Sequence, residues 1–149
     1  MRLLKTNSDP GLTIARIILG IVFLPHGAQK LLGWFGGYGF AGTMDYFTGT
    51  VGLPWLIAFL VIMIEFFGSL ALIAGIGTRL VALLFTILLI GIILSTHAQF
   101  GFFMNWFGTQ KGEGYEYFIL ALGLSSLLMI SGAGKYSLDS ALLTKKADR

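Results

Sequence analysis

Residues 54–76, PWLIAFLVIMIEFFGSLALIAGI, decide what kind of protein this is. The stretch holds one ionisable side chain, Glu65, close to its centre. A bilayer's hydrocarbon core, about 30 Å thick, takes roughly 20 apolar residues in an α-helix rising about 1.5 Å per residue. The stretch therefore reads as a transmembrane helix with a carboxyl group at mid-membrane depth. Three others meet the same test: roughly 11–33, 79–103 and 115–132. The expected fold is an all-α membrane protein, a single four-helix transmembrane bundle over 1–149 with 134–149 as a cytoplasmic tail. The first span is too long for a signal peptide's apolar region, and no small-x-small cleavage site follows it, so it reads as a retained helix.

Composition agrees. The chain is 56% hydrophobic and 11% charged, against about 25% charged in a soluble domain. Its mean hydropathy is +0.84. The 21 glycines suit close helix packing in lipid. The absence of cysteine excludes disulfides, thiolate-held metals and Cys-based catalysis. The net charge of +3 is no nucleic-acid signal, because the basic residues sit mostly in short connections and tails. With the N-terminus inside, Arg2, Lys5, Arg79, Lys135, Lys145, Lys146 and Arg149 fall on the cytoplasmic side, against Lys30 and Lys111 outside. The positive-inside rule then puts both termini in the cytoplasm.

The outer connections, 34–53 and 101–114, contain or border Trp34, Trp55 and Trp106, with Tyr38, Tyr46, Tyr115 and Tyr117. They read either as an interfacial aromatic belt or as a lid over an outward-facing pocket. Two Gly-x-Gly exits, IAGIGTRL at 73–80 and ISGAGKYSL at 130–138, look like helix C-caps with a cation nearby. His26 and Gln29 precede Trp34-Phe35-Gly36, and His97 and Gln99 precede Trp106-Phe107-Gly108. This suggests two pseudo-symmetric hairpins about an axis along the membrane normal.

Ionisable groups in lipid cost roughly 2.5–3.5 kcal/mol each on insertion scales, so they are rarely idle. Glu65 reads as an interhelical ion pair or as a proton-linked, ligand-binding carboxylate. In the first span, 100° per residue places Arg16, His26 and Lys30 on one broad face. Counting from the span ends puts Arg16 roughly 9 Å inward of Glu65 and His26 roughly 6 Å outward. Glu65 is the natural partner of that stripe, with Arg16 tuning its charge. The sequence around it, LPHGAQKLLGWFGG at 24–37, contains Pro25, which leaves the carbonyl of residue 21 without its helical donor. His97, Gln99, Glu113 and Glu116 lie near the outer surface, where lone polar residues are usually solvated. Their convergence with His26 and Lys30 marks the outer third of the bundle as a candidate pocket.

Three ligand chemistries fit in part. Two His and Glu65 form a two-His-one-carboxylate metal set only if their depths match, and they are expected to differ. A bis-His haem between the first and third helices is not favoured either. A polar-headed apolar ligand such as a quinone uses the residues present: aromatics for its ring, and His26, Lys30 or Gln29 for its oxygens. A nearby carboxylate could exchange protons.

The sequence resembles the DoxX family of small four-span bacterial membrane proteins. The resemblance rests on Arg16, on HGAQKL with His26, Gly27 and Lys30, and on Glu65-Phe66-Phe67-Gly68. It continues through GIGTRL at 75–80, GEGYEY at 112–117 and GAGKYSLD at 132–139. It implies a multi-pass protein of the bacterial cytoplasmic (inner) membrane, tied to quinol and quinone redox systems. It also implies functional roles for Arg16, His26, Lys30 and Glu65. The expected function is an accessory or quinone-handling subunit of a quinone-linked oxidoreductase, with no complete catalytic site of its own. His26, Lys30, Gln29, His97 and Glu116 would bind the ligand, while Glu65 and Arg16 would be proton-linked or ion-paired. No metal is assigned. Membrane lipid, redox-enzyme subunits and further copies of the chain are the expected partners, and nucleic acid is not. The alternatives are a small transporter or permeation pathway, or a non-catalytic scaffold.

Overall fold

Lipid offers no hydrogen bonds, so an apolar segment crossing it must satisfy its own N–H and C=O groups, and each span folds as a helix. The computed structural model describes the backbone of residues 6–147 and the side chains of residues 6–143, and every secondary-structure element within those limits is helical. Arg2, Lys5 and Arg149 lie outside the described residues, as do the side chains of Lys145 and Lys146.

Helix α1 runs Pro10–Leu32. The Asp9 carboxylate accepts from the Gly11 N–H at 2.7 Å, and Pro10 fills the first position, where its missing N–H has no partner to lose. The first connection is not a plain loop: it holds α2, Gly39–Asp45, followed by a π-helical turn, Tyr46–Thr50. Helix α3 is Trp55–Ala74, α4 is Thr78–Phe100, α5 is Glu116–Ser131 and α6 is Leu138–Ala147. Three of the expected spans, α1, α3 and α4, are long and apolar enough to cross a membrane. The third stops at Phe100, short of the expected 103, because the chain turns at Gly101. The fourth, α5, has 16 residues, about 24 Å of helix at 1.5 Å per residue. The expected tail folds back as α6.

Successive helices pack side by side, so α1 lies against α3 and α5, and α4 against the same two. Leu19 and Phe23 of α1, Leu72 of α3, Phe85 and Leu89 of α4 and Leu128 of α5 fill the shared core. A hydrogen bond between the Thr86 and Ser125 hydroxyls, 2.9 Å, joins α4 to α5 within it.

One end of the bundle gathers both ends of the chain. The Asn7 N–H donates to Ser131 O, and the Lys135 N–H to Asp9 O. Here the structure corrects the Arg16 expectation: Arg16 does not reach Glu65. Its buried guanidinium donates to the carbonyls of Leu72, Ile73, Ala133 and Tyr136. The reason is depth. Gly27 lies level with Phe66, so Arg16, eleven residues earlier on an antiparallel helix, sits about 16 Å further along, at the exit of α3. Carbonyls at a helix C-terminus lack intrahelical donors and carry partial negative charge, which suits a cation. Asp139, also buried, completes the cluster. Its carboxylate accepts from the N–H groups of Gly77 and Thr78 at 2.8 and 2.9 Å, capping α4 from the far end of the chain. Gly75 takes φ of 72°, and a Cβ there would lie 2.5 Å from Ser137 Cβ and 3.0 Å from Arg16 Cζ. The two Gly-x-Gly exits are thus two halves of one interlocked end.

Candidate functional site

Glu65 stands in a π-helical turn, Ile64–Gly68, inside α3. Such turns add a residue to the helical repeat and recur at functional sites. The turn meets α1 where α1 has no side chain. A Cβ on Gly27 would lie 2.6 Å from both Phe66 N and Phe66 Cα. That close approach brings Lys30, almost one turn further on, to the carboxylate, and its Nζ donates to Glu65 Oε2 at 2.5 Å. Glu65 is 2% exposed. A carboxylate so buried needs a cation, and Lys30 supplies it.

Another π-helical turn, Ile93–His97, lies in the last part of α4 and carries Thr96 and His97. Between these turns, at the end of the bundle away from the termini, the helices enclose a cavity of about 570 Å³. Lys30 and Glu65 line it together with Phe23, His26, Thr96, His97, Tyr117 and Phe118. Phe47, Met104 and Glu113 reach in from the connections. The rings form a chain: His26 to Phe23, Phe23 to Tyr117, Tyr117 to Phe118, Phe118 to His97, with centroid separations of 6.4, 6.4, 5.2 and 4.3 Å. His97 Nδ1 lies 2.7 Å from the backbone oxygen of Glu113. The Tyr117 hydroxyl is buried without a hydrogen-bond partner among the described residues.

Four of the expected ligand-binding or ion-pair residues, His26, Lys30, Glu65 and His97, line this one cavity. The other three lie elsewhere. Arg16 is at the opposite end. Gln29 donates to Phe35 O at 3.3 Å and faces an adjoining recess of about 260 Å³ that shares Lys30 and Phe47 with the cavity. Glu116 turns back to the connection, its Oε1 accepting from Met104 N at 3.0 Å and Trp106 Nε1 at 3.1 Å. Trp34, Trp55 and Trp106 are exposed, as belt residues would be, and none lines the cavity, while Phe47, Met104 and Glu113 of the same two connections do line it. No three His, Asp or Glu side chains among the described residues converge as a metal-ligand set, since His26, Glu65 and His97 line different walls. Tyr117 was missed as a cavity residue because it reads as one more belt aromatic. A signal existed: Tyr117, Ala121, Ser125 and Leu128 recur at helical spacing, and the last three are buried.

Helices that splay around a polar-lined apolar cavity define a cavity-forming, polytopic membrane protein. Residues 11–98 match the model of the DoxX family, and the chain belongs to that family. It is 37% identical over 146 residues to "Inner membrane protein YqjF" of Escherichia coli (strain K12), covering 96% of this chain and 99% of that one. It is 32% identical over 102 residues to "Putative oxidoreductase CatD" of Bacillus subtilis (strain 168), covering 68% and 71%. No solved structure matches. The helices and this kinship make it a multi-pass inner-membrane protein.

Proposed function

We propose that the chain binds an amphiphilic ring ligand of the quinone type and serves a membrane quinol/quinone redox system. The carrying observation is the composition of the cavity. It is mostly apolar and aromatic, with an ion pair, two imidazoles, a phenol, the Thr96 hydroxyl and the Glu113 carboxylate as its polar points. Small-molecule sites have this character, an apolar lining with a few placed polar groups that fix orientation. The chain of rings offers a stacking wall for a planar head. Lys30 keeps N–H groups beyond the one given to Glu65, and these can meet a ligand oxygen. Glu65 beside it can exchange a proton with the ligand. The printed name of the Bacillus relative supports a redox setting. In this reading the chain holds and positions the ligand for a partner oxidoreductase in the same membrane.

The test is the lipid-soluble content of the purified protein. Quinone should co-purify, and added short-chain quinone should bind saturably. Glu65→Gln and Lys30→Met should lower retention by about tenfold, the worth of one lost charged hydrogen bond. Protein that carries no quinone and binds none when it is added overturns the reading.

A further inference from the structure

We infer that His97 makes the cavity select a hydroxyl-bearing ring, the quinol form, over the corresponding dione. The inference rests on the ligand reading above and adds the direction of one hydrogen bond. His97 Nδ1 is 2.7 Å from Glu113 O. A carbonyl oxygen can only accept, so the proton sits on Nδ1. In a neutral imidazole the other nitrogen, Nε2, is then an acceptor, and it has no protein partner among the described residues. His97 lines the cavity, packed 4.3 Å from the Phe118 ring. The cavity therefore presents a fixed acceptor at its α4 wall.

Of the other polar points, Thr96 Oγ1 lies 3.1 Å from Ser95 Oγ, and Glu113 Oε2 accepts from the Asn105 N–H at 2.7 Å and so turns toward its own connection; the rest carry no such direction. His26 has no hydrogen-bond partner among the described residues, so either tautomer is open to it. The Tyr117 hydroxyl can donate or accept. Lys30 offers donors, while Glu65 beside it offers an acceptor. Only at His97 does the backbone dictate what the ligand must supply, and that is an O–H. A dione placed there sets one acceptor against another, and its oxygen and Nε2 both stay unsatisfied.

The experiment measures binding of a short-chain benzoquinol, its dimethyl ether and the matching benzoquinone to the full chain in nanodiscs, under reducing conditions for the quinol. The quinol should bind about tenfold tighter than either, the worth of one hydrogen bond. Histidine nitrogen NMR on the same sample should show the Nδ1–H tautomer at His97. In His97→Asn the amide N–H can replace Nδ1–H toward Glu113 while no acceptor stands at the Nε2 position, so quinol affinity should fall about tenfold, to that of the ether and the quinone. Equal binding of quinol, ether and quinone by the native chain overturns this inference and leaves the ligand reading standing. Failure of all three to bind overturns both. The comparison of ligands on the native chain needs no variant, so a misfolded His97→Asn does not blunt it.

Discussion

Replacing Arg16 by Met should loosen the bundle at its terminal end and leave the cavity unaltered. Met keeps most of the apolar stem but removes every donor. The guanidinium serves four carbonyls, two at the exit of α3 and two in the segment after α5, and is 1% exposed. A buried acceptor stripped of its donor costs about 1–3 kcal/mol. Leu72 O keeps the Gly75 N–H as a second donor at 3.1 Å, which leaves three carbonyls for which Arg16 is the main donor among the described residues. With water reaching some of them, the expected loss is about 3–6 kcal/mol. Arg16→Lys should recover little, because one ammonium cannot span carbonyls that a planar fork reaches in several directions. The assay is reversible unfolding in mixed micelles by denaturing detergent, with quinone binding measured on the folded fraction. A loss below about 1 kcal/mol in Arg16→Met refutes the cluster's energetic role. Lost binding at full stability would instead restore the pairing with Glu65 that the sequence suggested.

Three more outcomes follow from the same geometry. Gly27→Ala forces a methyl to within 2.6 Å of the Phe66 backbone, so α1 must move off α3. Thermal unfolding should show a loss of about 1–3 kcal/mol, and ligand affinity should fall with it; unchanged affinity would mean that the close approach does not position Lys30. Lys30→Met alone should cost about 3–5 kcal/mol by leaving Glu65 buried without its cation, Glu65→Gln should cost less because the Lys30 side chain is 25% exposed, and the double variant should recover most of the loss. A double-mutant cycle with no coupling refutes the pair. Asp139→Asn keeps at most one of the two N–H acceptors at the start of α4 and should cost about 1–2 kcal/mol in the same unfolding assay; a neutral result refutes the cap.

The helices were legible because lipid leaves the backbone one solution, and apolar length then marks where it is used. What composition alone could not supply was register. Counting from the ends of two predicted spans placed His26 outward of Glu65, whereas packing sets Gly27 level with Phe66. That shift of a turn or more is why Lys30, not Arg16, holds the carboxylate. The cavity was legible in part: His26, Lys30, Glu65 and His97 announce themselves as polar residues in apolar surroundings. Tyr117 did not, because a tyrosine at a span end is ordinary in any membrane protein. Asp139 was hidden for another reason. It looks like a solvated residue of a charged tail, and only the fold-back of α6 onto the α3–α4 turn buries it.

The π-helical turn in α3 has a further effect on how this chain can change. Ala58, Ile62, Glu65, Ser69 and Leu72 are all buried and step by four and three residues, the spacing of a single α-helical face, so the turn does not redirect side chains. It acts on the backbone. A turn wider than the α-helix leaves a carbonyl without its usual N–H four residues on, and the Ser69 hydroxyl donates to Glu65 O. A serine in mid-span thus helps the turn that carries the carboxylate stay wide in lipid. Relatives that share the cavity should keep a hydroxyl at this position more strictly than the apolar side chains around it.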